Sequence, residues 1–203
     1  ISSGAVYGNS VEERQDESTV TTLSGGFIGQ RESYTIAKIN AEAKHRSLTS
    51  LNIVDLRVFA FFSSLVDTDS LFLMTEIVNC IQTKKVLATN SQNMVRDYIT
   101  PRDLLVLIKS VIAKKKINDY FDVYSKKPIS KFDLLASMNK KYGLEFEIKK
   151  DISKAKSSPS KNIYASKSKK ATKLLGYKPI TTSLEGILEE LQKFSFGKKH
   201  QGK

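Results

Sequence analysis

The chain has 203 residues, 40% of them hydrophobic and 27% charged, enough for one domain, or one domain in two lobes, with a sizeable core, and too apolar for wholesale disorder. One cysteine, Cys80, excludes a disulfide framework and a multi-cysteine metal site; two histidines, His45 and His200, cannot build a histidine zinc site, and no run approaches the ~18 apolar residues of a membrane span. The net charge of +12 is uneven: residues 1–100 carry nine basic side chains against eleven acids, residues 101–203 twenty-four against ten, with Arg102 the only arginine of that half.

Ile1-Ser2-Ser3 reads as the end of a strand running into a tight turn, Gly4-Ala5-Val6-Tyr7-Gly8. Residues 9–33 are polar and rich in Ser, Thr, Gly and Glu, which predicts a long surface loop of the kind that often carries function. Tyr34 to Ser47 reads as a helix with Ile36, Ile39, Asn40, Ala43 and Ser47 along one face. Ile53 to Phe62 is apolar enough for a strand buried inside a parallel sheet. Asp69 or Ser70 is expected to cap a helix with the stripe Leu73, Ile77, Cys80, Ile81, followed by a short strand at Val86-Leu87-Ala88 and an extended segment, Val95 to Ile99.

Thr100-Pro101-Arg102-Asp103 is a helix start, with Thr100 as N-cap, Pro101 at N1 and Asp103 at capping-box spacing; Leu104, Leu107, Ile108, Val111 and Ile112 form its apolar face. Phe121 to Tyr124 reads as a strand, Lys131 to Lys141 as a helix and Leu144 to Ile148 as a strand. Ser153 to Asn162 reads as a mobile Ser/Lys loop, Lys167 to Leu175 as a short helix closed by Gly176, and Thr182 with Glu185 as the capped start of a last helix burying Leu184, Ile187, Leu188 and Leu191. The tail from Ser195 is expected to fray. Strands alternating with helices predict an α/β fold with a parallel sheet.

The strongest chemical constellation is Tyr34-Thr-Ile-Ala-Lys38. Positions i and i+4 share a helix face, and an ammonium one turn from a phenol favours the phenolate, which suits a tyrosine to proton exchange. A plain helix surface carrying Tyr and Lys is the bland alternative. Ser3 changes that balance, because ligands gather at the C-terminal ends of parallel strands and a hydroxyl there can bond a substrate oxygen; its bland role is to satisfy turn backbone groups.

Four stretches in order carry a family resemblance: Ile1-Ser-Ser-Gly-Ala-Val-Tyr-Gly8; Tyr34-Thr-Ile-Ala-Lys38; Leu56-Arg-Val-Phe59 followed by Val95-Arg-Asp-Tyr-Ile-Thr-Pro-Arg-Asp-Leu104; and Lys173-Leu-Leu-Gly-Tyr-Lys-Pro179 with Thr182-Ser-Leu-Glu-Gly-Ile-Leu188. Together they resemble the extended short-chain dehydrogenase/reductases, specifically the NAD(P)-dependent nucleotide-sugar epimerases, dehydratases and reductases. The resemblance implies an incomplete, Rossmann-type, doubly wound parallel sheet (its C-terminal half) plus a smaller α/β substrate-binding lobe. Residues 1–63 would belong to the Rossmann-like NAD(P)-binding domain and 64–203 mainly to the lobe, with 95–116 returning to the Rossmann domain. It further implies that Ser3 bonds the reacting sugar oxygen, that Tyr34 is the acid/base partner of hydride transfer, and that Lys38 holds the nicotinamide ribose and tunes Tyr34. Arg96 would grip the diphosphate of a nucleotide-sugar, a planar fork matching phosphate oxygens; an ion pair with Asp97 or Asp103 is its structural alternative. NAD or NADP is the implied cofactor, a nucleotide-sugar the substrate, a homodimer the assembly and the cytoplasm the compartment.

Departures from the family pattern narrow the expectation. Ala60 stands where the family often has a phosphate-touching Asn, and Ser63-Ser64 stands for Gly-Pro, so the resemblance does not extend to that loop's contacts. Gly4 and Ala5 stand where the 4,6-dehydratases carry an extra carboxylate, which leaves 4-epimerases and 4-keto reductases. Gly25-Gly26-Phe27-Ile28-Gly29 resembles a cofactor-binding glycine turn only partially and reads as a flexible loop. The chain is therefore read as the C-terminal portion of a longer enzyme, inactive alone. Two rivals remain. One is a non-catalytic scaffold of the same fold, which need not bring Ser3, Tyr34 and Lys38 to one cleft. The other is a lysine-rich nucleic-acid binder, disfavoured by the scarcity of arginine forks in the basic half; neither nucleic acid nor a membrane is the expected partner.

Overall fold

The computed structural model describes residues 1–8, 13–23, 29–149 and 162–194. Its central sheet is parallel, in the order β1 (Ser2–Ser3), β2 (Ile53–Val58), β7 (Asn118–Val123). Ser3 pairs with Val58, and Val58 with Val123, so three strands end at one level. The strand expected over Ile53–Phe62 is interrupted at Phe59 and resumes as β3 (Ala60–Phe61), which pairs in parallel with β6 (Tyr98–Ile99). The segment Val95–Ile99 likewise splits, because Asp97 leaves the ladder after β5 (Val95–Arg96). Strand β5 lies between β10 (Ile163–Tyr164), parallel to it, and β8 (Ile129–Ser130), antiparallel; β4 (Leu87–Thr89) pairs in parallel with β9 (Phe146–Ile148).

Two large apolar clusters follow from this arrangement. Leu56, Phe121 and Val123 of the central sheet pack with Ile99, with Leu107 of α3 (Pro101–Ile112), with Ala171 and Leu175 of α5 (Lys170–Leu175) and with Tyr177. Phe62 packs with Met74, Ile77 and Val78 of α2 (Leu73–Thr83), Leu134, Leu135 and Met138 of α4 (Lys131–Tyr142), Leu144, and Ile187 and Leu191 of α6 (Ser183–Leu191). A third, small cluster of Val6, Tyr7 and Phe59 lies beneath the turn after β1. No helix of the described residues is long and apolar enough to cross a membrane.

Several local expectations meet physical corrections. Helix α1 (Gln30–Ser47) begins four residues before Tyr34; among its described side chains Thr35 and Glu42 are buried, Ile36 and Ile39 of the expected face are half-buried with Ile39 against Val6, Tyr7 and Phe59, and Asn40, Ala43 and Ser47 are exposed. The inward stripe is part polar because its carboxylate meets a buried arginine. Helix α2 starts after Phe72, not at Asp69 or Ser70, which belong to a turn closed on Asp67; Thr75 Oγ1 accepts from Phe72 N instead. Thr100 and Pro101 start α3 as expected, but Asp103 turns away from the cap and accepts from the backbone N–H groups of Ile180 and Thr181. Thr182 and Glu185 form the expected capping box, and Gly176 closes α5 in the left-handed conformation. The segment 13–23 is not wholly a surface loop: Gln15 is buried and bridges in parallel to Ser166. The glycine run 24–28, the Ser/Lys loop from 153 to 161 and the tail from 195 lie outside the described residues.

Candidate active site

The C-terminal end of β1 builds the centre of the site. Ser3 is the N-cap of the 3-10 turn Gly4–Tyr7, its Oγ accepting from Ala5 N at 3.1 Å. Gly8 ends that turn at φ 66°, a conformation that favours glycine. Gly4 is held by space instead: a Cβ there would lie 2.6 Å from the ring of Phe59. Helix α1 docks on the same turn, Thr35 Oγ1 donating to Ala5 O at 3.1 Å. The residue that satisfies the turn is thus sequence neighbour to the candidate acid/base, Tyr34.

Tyr34 is half exposed, and the Lys38 ammonium lies 5.5 Å from its ring centroid. Lys38 Nζ also donates to Ile1 O at 3.3 Å, which ties the helix to the start of β1. The predicted pair therefore shares one helix face, close to the strand that carries Ser3.

Arg96 is buried on β5, where burial pushes its guanidinium below the usual arginine range. Its Nη1 donates to Val95 O at 2.9 Å. The two carboxylates weighed as its ion-pair partners are engaged elsewhere. Asp97 accepts from Ser125 N and Ser183 Oγ, and Asp103 from Ile180, Thr181 and the Thr181 hydroxyl. Ser63 and Ser64 of the departing loop serve structure, Ser63 Oγ accepting from Leu65 N and Ser64 N donating to Glu190.

Tyr164 is the residue that sequence reasoning missed. It pairs with Arg96 across β10 and β5, its ring centroid is 5.9 Å from the Arg96 guanidinium and 5.0 Å from that of Phe59, and its Oη lies 3.2 Å from Ser3 Oγ. Burial pushes its phenol up to about 12, with the Ser3 bond opposing and the nearby Tyr34 phenol adding to the rise. A single tyrosine in a Ser/Lys-rich stretch gave no periodic signal; only strand pairing brings it to Ser3.

Beneath the site runs a buried polar chain. Ser2 Oγ donates to Glu42 at 2.6 Å, and Arg57 Nε and Nη2 form a fork on the same carboxylate at 3.0 and 2.5 Å. Arg57 stacks 3.6 Å from the Tyr120 ring centroid and donates from Nη1 to Tyr7 Oη at 2.9 Å; Tyr7 donates to Asp122 at 2.8 Å, as does Ser166 at 2.6 Å. Burial pushes Asp122 up to about 6, against the opposing pull of the Ser166 and Tyr7 bonds and of Arg57. Burial and the Asp122 charge push the Tyr7 phenol far above its ordinary range. Taken together, the upper layer can bind an oxygen at Ser3 and move a proton at Tyr34, while the lower layer fixes β1, β2, β7 and α1 against one another.

The family described as "NAD dependent epimerase/dehydratase family" matches residues 1–124, more than half of the chain. No curated protein sequence matches it. Among solved structures, the UDP-glucuronic acid 4-epimerase of Bacillus cereus, crystallised with UDP-glucuronic acid and NAD, is similar at 17% identity and a TM-score of 0.75, over 94% of this chain and 59% of that one. A putative epimerase from Burkholderia cenocepacia is similar at 19% identity and a TM-score of 0.77, over 94% and 60%. The dTDP-glucose 4,6-dehydratase of Bacillus anthracis, in complex with NAD, is similar at 18% identity and a TM-score of 0.73, over 94% and 59%. The chain spans about three fifths of the length of these structures, and at such identities the likeness is one of fold.

Proposed function

Because the chain belongs to the NAD dependent epimerase/dehydratase family, we propose that its residues serve an NAD(P)-dependent nucleotide-sugar 4-epimerase or 4-keto reductase. The observation that carries this reading is the docking of α1 on the turn that Ser3 caps, which sets the Tyr34–Lys38 pair beside the end of β1. Neighbours of the same fold are crystallised with NAD and with UDP-glucuronic acid, and this supports the substrate and cofactor class.

Lys38 fits the ribose of such a cofactor. Its ammonium has three donors, one bond to Ile1 O is formed, and the Tyr34 ring beside it is half exposed. The bound nicotinamide supplies the hydride acceptor or donor. In the direction of sugar oxidation Tyr34 Oη would take the proton of the C4 hydroxyl, and in the direction of reduction it would return that proton. Ser3 holds the C4 oxygen by a hydrogen bond that strengthens as charge gathers on it. Arg96 holds the diphosphate, and the absence of a carboxylate at Gly4 and Ala5 disfavours elimination of water.

The test is incubation of the full-length gene product with NAD, or with NADP, and a panel of UDP-glucose, UDP-glucuronic acid and dTDP-glucose. Products are resolved by chromatography and by the absorbance of reduced nicotinamide. Conversion to the C4 epimer, or reduced nicotinamide accumulating with a 4-keto sugar, is the expected result. A 4-keto-6-deoxy product would overturn the assignment in favour of a dehydratase, and failure to bind any member of the panel would overturn the substrate class.

A further inference from the structure

We infer that Tyr164 is a positioning residue for Ser3, its phenol fixing the serine hydroxyl so that the serine proton points at the substrate oxygen. The inference deepens the reading above and rests on it for its catalytic consequence, though not for its structural one.

A hydroxyl offers one proton and two lone pairs. The Ala5 N–H occupies one lone pair of Ser3 Oγ at 3.1 Å. The second faces Tyr164 Oη at 3.2 Å. A phenol is a far stronger acid than an aliphatic alcohol, so the phenol donates and the serine accepts. Both lone pairs are then taken, and the serine proton has one direction left, outward from the turn. A serine in that state enters the reaction as a donor already aimed, which removes the cost of choosing among rotamers when substrate arrives.

Tyr164 is itself well fixed for the task. Its ring packs near Phe59 and the Arg96 guanidinium, its backbone O accepts from Asp97 N at 3.3 Å, and two residues later Ser166 is bonded to Asp122 and bridged to Gln15. Burial holds the phenol protonated across the neutral range, so it stays a donor. Tyr164 also joins two site residues, because the strand register that brings its hydroxyl to Ser3 puts its backbone opposite Arg96. A purely structural tyrosine here would need its ring and not its hydroxyl.

The experiment compares wild type, Tyr164→Phe, Ser3→Ala and the double variant in the full-length gene product. Two readouts are taken: the Ser3 side-chain rotamer in the ligand-free protein, from NMR scalar couplings, and kcat and KM with UDP-glucuronic acid and NAD as the probe. In Tyr164→Phe the Ser3 rotamer is expected to average over several states. The kcat is expected to fall ~3–10-fold, the scale of one neutral hydrogen bond, with KM within about twofold. In the Ser3→Ala background the same change should cost nothing further, the coupling expected of a residue acting through Ser3. An unchanged Ser3 rotamer in Tyr164→Phe, or an equal loss of kcat with and without Ser3, overturns the inference. If the rotamer is released but wild type does not act on UDP-glucuronic acid, the positioning by Tyr164 stands and the proposed substrate is what fails.

Discussion

Glu42 of α1 and Arg57 of β2 form a buried, forked ion pair, Arg57 Nη2 lying 2.5 Å from Glu42 Oε2, and this pair joins the helix bearing Tyr34 to the central sheet. Ser2 donates to the same carboxylate and Tyr7 accepts from the same guanidinium, so neither charge is left without bonds. Removing one partner strands the other in a low-dielectric interior. Glu42→Ala should therefore destabilise the protein by about 3–5 kcal/mol. Glu42→Leu with Arg57→Leu should cost much less than the two single changes added. Urea unfolding of wild type, Glu42→Ala, Glu42→Leu, Arg57→Leu and the double Leu variant measures both; additive losses would show that the pair does not act as a unit.

Asp122 gives the fold a pH dependence of defined sign. Its folded value of about 6 lies above the ordinary aspartate value of 3.8. The native state thus binds this proton more tightly than the unfolded chain. Its contribution to stability is fully present below about pH 4 and is lost as pH rises through about pH 6. A shift of this size is worth roughly 3 kcal/mol at most. Asp122→Asn removes the titration while keeping an acceptor for Tyr7 and Ser166. The melting temperature of the variant relative to wild type should rise between pH 4 and pH 7, and a constant difference would contradict this.

Gly4 has no space for a methyl group. The ring it would strike, Phe59, is buried against Tyr7 and Tyr164, so it cannot swing aside freely. Gly4→Ala should destabilise by about 1–3 kcal/mol, and Phe59→Leu in that background should recover part of the loss. Thermal melts check both, and an unperturbed Gly4→Ala variant would show that the turn has slack.

Arg96 is proposed to hold an anion rather than to brace the turn. Arg96→Ala should raise KM for the nucleotide-sugar by about tenfold or more, the scale of a charge-assisted bond, with KM for the cofactor little changed. Steady-state kinetics with each substrate varied separates the two, and an unchanged KM for the sugar returns Arg96 to a structural role.

The sequence carried much of this fold because its punctuation is local. Thr182 with Glu185 and Gly176 after Leu175 each mark a helix end through bonds made within a few residues, whereas Pro101 after Thr100 marks one through its fixed φ and missing N–H, with no side-chain cap bond from Thr100. The apolar stripes of α2 and α6 point where hydropathy says they should, and so does that of α3 for Leu104, Leu107, Ile108 and Val111, but Ile112, expected on the same face, is 75% exposed at the helix end. Helix α1 misled the same method in part: Ile39 of the expected stripe does face the core, but so do Thr35 and Glu42, and a hydropathy count reads a paired carboxylate as solvent-facing. Asp103 misled it too: its spacing from Thr100 suits a capping box, and its actual partners lie at Ile180 and Thr181. Ser3, Tyr34, Lys38 and Arg96 were legible as motifs. Tyr164 was not, because its tie to Ser3 spans 161 positions and no local pattern announces it.

The central claim is that Tyr34 exchanges the proton that accompanies hydride transfer. Single-turnover hydride transfer with UDP-glucuronic acid, followed by reduced-nicotinamide absorbance in wild type and Tyr34→Phe, tests it most directly, with circular dichroism as the check on folding. The account predicts a loss of at least ~100-fold in the variant, the scale of general acid–base catalysis, with the fold and sugar binding retained. A Tyr34→Phe protein that transfers hydride at the wild-type rate would contradict it.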